Sequence, residues 1–116
     1  MDLVELNEAS VDDLYGELGS LLLGRGPNAG TLDSSRMREF GQRHFDQMRA
    51  ALGAALCNSD GTARLPGNDL GNVAAAILAY QAAEKMLTDS QEKALLLAAI
   101  VLKTGLSRFC RTLVYP

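Results

Sequence analysis

Ala94 to Leu102 reads Ala-Leu-Leu-Leu-Ala-Ala-Ile-Val-Leu, nine consecutive apolar residues inside a helical pattern that extends from Ser90 to Tyr115. A helix with no polar face belongs in a protein core or in a bilayer. Nine residues rise roughly 14 Å at 1.5 Å each, against a hydrocarbon thickness of about 30 Å, so they are too short to cross a membrane. The spacing therefore predicts a core helix that the other segments cover. After Lys103 the pattern turns amphipathic, with Leu106, Phe109, Cys110 and Leu113 on one side and Arg108 and Arg111 on the other.

Three further helical patterns precede it. Ser10-Val11-Asp12-Asp13 has the form of a capping box, with two acids where the helix dipole favours them. Val11, Leu14, Tyr15, Leu18, Leu21 and Leu22 then recur at helical spacing, predicting a first helix that starts at Ser10. Gly16 and Gly19 weaken it by roughly 1 kcal/mol each relative to Ala, which close backbone packing is expected to offset. Residues 2–9 form a turn, an added strand or an N-terminal arm.

Gly24 to Gly30 ends that helix, and a second begins at Asp33 or Ser34. Met37, Phe40, His44, Phe45, Met48, Leu52, Ala55 and Leu56 make its apolar stripe, and it stops before Asn58-Ser59-Asp60-Gly61. The third helix is capped by Asp69 and runs to about Leu87. Its row of Ala75, Ala79 and Ala83 suits a close helix–helix contact. Thr88-Asp89-Ser90 is a tight connection, with Asp89 and Glu92 repeating the capping pattern, so the third and fourth helices are predicted to form an antiparallel hairpin.

The expected fold is all-α: a four-helix bundle with a central apolar C-terminal helical hairpin. Residues 1–116 make one domain, with 1–9 as its arm. Two helices that are apolar on most faces need more cover than two amphipathic partners supply, and a homodimer is the commonest remedy.

Composition supports helices. Hydrophobic residues make up 47% of the chain but aromatics only 5%, with no Trp; Ala and Leu carry the apolar mass, and both favour helix over strand. The net charge of −3 is unevenly spread. Residues 1–24 hold Asp2, Glu5, Glu8, Asp12, Asp13 and Glu17 without a single Lys or Arg, so this segment is −6 and the rest +3. An acidic first segment is either a solvated helix face or a partner-facing surface, and on the second reading Asp12, Asp13 and Glu17 bind the partner. Cys57 and Cys110 are each flanked by apolar residues and are expected as reduced core residues. Met-Asp-Leu-Val-Glu-Leu has neither a basic n-region nor an apolar h-region, so a cytoplasmic location is expected.

No motif for a specific chemistry survives inspection. Gly24 to Thr31 echoes a phosphate-binding loop, yet lacks its Lys and its glycine spacing and follows a helix instead of a strand. Asn58 to Asp69 has the length of a calcium loop, but Ala63 stands where the glycine belongs and Asp69 where the bidentate Glu belongs. His44, the one histidine, has no acid four residues away to orient it as a base. Cys57 lacks the setting that makes a thiolate, and no His, Cys or carboxylate set has metal-ligand spacing. No cofactor and no metal are expected, and enzymatic activity ranks last.

The expected function is a non-enzymatic helical protein–protein interaction module, such as an adaptor, accessory subunit or regulatory protein. The alternative is a regulatory domain that binds a small anionic ligand or nucleic acid through the loops 24–33 and 58–68 and the Arg-bearing second helix. Its candidate residues are Arg25, Arg36, Arg38 and Arg43. Glu39 and Asp46 interrupt that row and the pI is about 5.0, which counts against nucleic acid. No helix pairs a basic face with aromatic anchors, so no membrane role is expected.

Overall fold

A computed structural model of the chain describes residues 3–23, 34–65, 69–82, 85–86 and 91–114. Among these the protein is all-α apart from one minimal ladder. The helices are α1 (Leu3–Glu8), α2 (Val11–Leu23), α3 (Ser34–Leu56), α4 (Leu70–Ala79), α5 (Gln91–Thr104) and α6 (Leu106–Val114). Two-residue strands β1 (Gln81–Ala82) and β2 (Lys85–Met86) pair antiparallel, Gln81 with Met86 and Ala82 with Lys85. The backbone contacts fall into two compact units, 1–47 and 48–116, divided within α3. No helix among the described residues is long and apolar enough to cross a membrane.

In the first unit the N-terminal arm is a helix, with Leu6 and Ala9 buried. Ser10 caps α2 as its sequence predicts: the Asp13 amide donates to Ser10 Oγ at 3.1 Å. Leu14 and Leu18 are fully buried along α2, and the Tyr15 ring tilts against Phe45 of α3 at a centroid distance of 6.0 Å. Gly19 and Gly41 are buried where α2 and α3 approach backbone to backbone. A Cβ built on Gly19 would collide with the Met37 carbonyl, and one on Gly41 with the Tyr15 carbonyl. The close packing expected of the α2 glycines is thus met at Gly19. It is not met at Gly16, whose Cβ would find only the Arg38 side chain, at 3.4 Å. Phe40 departs from the expected apolar stripe and is 41% exposed. The inward line of α3 in this unit runs through Gly41 and Phe45, four residues apart, and Phe40 lies one step round the helix from it.

The second unit is built on α5. Ala94, Leu96, Leu97, Ala98, Ala99, Ile100 and Val101 are all buried, as a helix without a polar face requires. It packs on α4, which buries Val73, Ala74 and Ile77. Asp69 caps α4 by accepting the Asn72 amide at 2.8 Å. Three expectations are corrected here. The third helix ends at Ala79, well short of Leu87, because Tyr80 turns extended and the chain enters the β1–β2 pairing. Ala75 and Ala79 are exposed; a position two residues from Val73 or Ile77 lies about 200° around the helix, away from the packed face. The last helical pattern is two helices, because Gly105 takes φ +99° and ends α5. Its amide donates to the carbonyls of Val101 at 3.0 Å and Leu102 at 3.1 Å, the left-handed glycine stop common at helix C-termini. The connection at Thr88–Ser90 and the Ala83 position lie outside the described residues.

Candidate functional site

Two concave surfaces stand out, one in each unit. The first lies between α2 and α3. The Ser10 cap starts α2 so that Asp12 and Asp13 fall in its first turn, with Glu17 one turn further on. Asp12 and Asp13 are exposed and Glu17 is half-buried. With Gly16, Ser20, Met37 and Arg38 they line an open groove of about 450 Å³. The three sequence-predicted partner residues therefore share one surface. Arg38 Nη1 stands 3.9 Å from Asp12 Oδ2, a wide pairing of two solvent-exposed groups. Such pairs contribute little, about 0–1 kcal/mol, so Asp12 keeps most of its charge available to the groove. Three carboxylates against one guanidinium leave the rim acidic.

The residues of the anion-binding alternative are not gathered in the same way. Arg36 and Arg43 are exposed on α3 seven residues apart, on one face, whereas Arg38 points about 200° away from Arg36. Arg43 Nη2 pairs with Glu39 Oε1 at 3.4 Å, and Arg38 Nη2 donates to Ser35 Oγ at 3.3 Å. Arg25 and the 24–33 loop lie outside the described residues. His44 is half-buried on α3. Among the described residues no group of three His, Cys, Asp or Glu could hold a metal ion.

The second surface is one that residue spacing did not reveal. Cys57, just beyond α3, is disulfide-bonded to Cys110 of α6, with Cα atoms 5.5 Å apart across 53 residues of sequence. This overturns the expectation of two reduced cysteines. A buried thiol and a buried half-cystine share the same apolar neighbours, so only the tertiary approach of α6 to the end of α3 separates them. Arg49, two turns before Cys57, lies over the Phe109 ring at 6.0 Å and adds a cation–π contact between the same two helices.

The turn after Cys57 is tightly built. Asn58 N donates to Thr62 O at 2.8 Å, and the Asn58 amide side chain to Thr62 Oγ1 at 2.9 Å. Thr62 in turn donates to Asp60 Oδ1 through its hydroxyl at 2.6 Å and its amide at 3.0 Å. These two bonds, the hydroxyl first, hold the Asp60 carboxyl below the usual aspartate range. Gly61 closes the turn at φ +87°. Asn58, Asp60 and Thr62 are thus hydrogen-bonded to one another across the turn. Arg64 Nε donates to the Cys57 carbonyl at 2.9 Å and stands at the edge of a cavity of about 420 Å³. Ala50, Gly53, Ala54, Asn58 and Ser59 complete its wall together with Cys57 and Cys110.

No protein-family model, no curated protein and no solved structure matches this chain.

Proposed function

We propose that the chain is a non-enzymatic protein–protein interaction module whose binding surface is the acidic groove between α2 and α3. The observation that carries this reading is the convergence of Asp12, Asp13 and Glu17 on one groove beside the apolar Met37 and the bare backbone of Gly16. Charge of one sign on a rim steers encounter and fixes register, while a floor open to apolar groups supplies affinity. The fitting partner is a protein segment that carries Lys or Arg beside a hydrophobic anchor.

The proposal extends to the architecture. The chain acts as one domain, a four-helix bundle in which α5 and α6 together form the last member, and it assembles as a homodimer through the apolar α4–α5 pair, on the side where Ala75 and Ala79 are exposed. The proposal places the chain in the cytoplasm with a reversible Cys57–Cys110 bridge; a permanently oxidised bridge belongs to an oxidising compartment.

The test is a pull-down from the native host with two double variants at two salt concentrations. Asp12→Lys with Asp13→Lys is expected to abolish capture of a protein while leaving the helical spectrum unchanged. Arg38→Ala with Arg43→Ala is expected to retain it. Loss of capture only in the arginine pair, with nucleic acid recovered from the wild type and affinity falling steeply with salt, would replace this reading with the anion-binding alternative.

A further inference from the structure

The acidic groove makes no use of the most chemically reactive feature of the second unit, the bridge at the wall of the 420 Å³ cavity. Here both cysteines line a cavity of ligand size, and the α3 positions that line it are Ala50, Gly53 and Ala54. None carries a side chain long enough to close it.

The two cysteines are not equivalent. Cys57 retains 7% exposure and Cys110 none. Cys57 also follows the C-terminus of α3, where the helix dipole disfavours a thiolate. Cys110 has a carbonyl waiting: Leu56 O lies 3.8 Å from its Sγ, in position to accept from the Cys110 thiol once the bridge opens. Access therefore selects Cys57 as the sulfur attacked, and the Leu56 carbonyl holds the Cys110 thiol in its protonated form after the bridge opens. Arg64 adds the third element, a guanidinium held against the Cys57 carbonyl at the rim.

From this geometry we infer that Cys57 is a site of reversible thiolation by a small anionic monothiol that enters the cavity beside Arg64. The thiolate attacks Cys57 Sγ and forms a mixed disulfide. The Cys57–Cys110 bond breaks with its electron pair on Cys110 Sγ, which takes up the proton that the monothiol gave up on forming its thiolate and donates it toward Leu56 O. A second molecule of the monothiol attacks the mixed disulfide at its own sulfur, leaving the oxidised thiol dimer and a free Cys57. The monothiol is the reductant throughout, and the reverse sequence restores the bridge. Opening it releases α6 from its covalent tie to the end of α3.

The probes are 2-mercaptoethanesulfonate and 2-mercaptoethanol, which differ in the charge of the group beside the thiol-bearing carbons. The full chain is incubated with each under native conditions, quenched in acid, alkylated and mapped by peptide mass. The expected product carries the probe on Cys57 and the alkyl group on Cys110. The anionic probe is expected to react about threefold faster, the size of one screened unit-charge attraction, and R64A to erase that difference. A probe found on Cys110, equal rates for the two probes on the wild type, or exchange only after denaturant is added would each overturn the inference. These wild-type results decide it whether or not R64A folds.

Discussion

Gly19 of α2 and Gly41 of α3 face each other backbone to backbone, each occupying the space that a Cβ on the other helix would need. A Cβ on Gly19 would come within 3.2 Å of Gly41 N, and one on Gly41 within 2.9 Å of Gly19 N, besides the carbonyls they would strike. Helix axes ordinarily sit 8–10 Å apart, with the separation set by the side chains between them. Where both contact residues are glycine, nothing stands between the backbones. The conformational cost of two helical glycines is offset by that approach, which also brings Tyr15 onto Phe45.

This contact reverses the usual sign of a helical Gly→Ala substitution. At an exposed helix position the change gains up to about 1 kcal/mol. Gly16→Ala is expected to follow that rule, because its new methyl meets only the flexible Arg38 side chain. Gly19→Ala and Gly41→Ala are expected to lose about 1–3 kcal/mol through overpacking against backbone that has little freedom to retreat. Urea unfolding of the three variants checks this. A stabilised Gly19→Ala would show that α2 and α3 stand further apart.

Reduction of Cys57–Cys110 is expected to destabilise the fold. The bridge spans 53 residues of sequence, and constraining a loop of that order in the unfolded chain is worth about 4 kcal/mol. For a domain of this size the melting temperature should fall by more than about 10 °C in a thiol, and Cys110→Ser should reproduce the fall without one. Identical melting curves with and without reductant would mean that no bridge forms in solution.

Asp60 supplies a pH signature. The Thr62 hydroxyl and amide favour its ionised form, so its folded pKa lies below the ordinary value of 3.8. The sign follows from linkage: the turn's contribution is complete above the unfolded pKa and is lost as pH falls through the lower folded value. Carboxyl chemical shifts should show Asp60 titrating below 3.8. Thr62→Val should return it toward 3.8, since the hydroxyl bond is gone. An unchanged midpoint in Thr62→Val would show that the hydroxyl bond is not made.

Ala79→Glu separates folding from assembly. Because Ala79 is exposed, the variant is expected to stay within about 0.5 kcal/mol of the parent in stability, as surface substitutions do. If α4 forms the proposed dimer face, light scattering should show twice the chain mass for the parent and a single chain for the variant. A folded variant that keeps the doubled mass would move the dimer contact off this face. A parent of single-chain mass would remove the dimer from the proposal.

The amino-acid sequence by itself determined what depends on near neighbours. The starts of α2 and α4 follow from Ser10 and Asp69, whose side chains reach amides three residues on. The burial of Ala94 and of Leu96 to Val101 follows from a run with no polar face to expose. The shared surface of Asp12, Asp13 and Glu17 follows from helical spacing alone. Gly105 was also legible, as a glycine after Lys103 and Thr104 in the position of a helix stop, though the strength of the surrounding helical pattern masked it. The tertiary structure decided the rest, because it turns on partners remote in sequence. Gly41 has no local signature until Gly19 stands across from it. Phe40 and Ala79 sit on apolar patterns wide enough to offer two faces, and only packing selects which one is covered. The end of α4 came from pairing with β2, against a local Ala-rich preference for helix. Cys57 and Cys110 became a bridge because α6 folds back to within bonding distance of the end of α3, and no spacing rule encodes a distance across 53 residues.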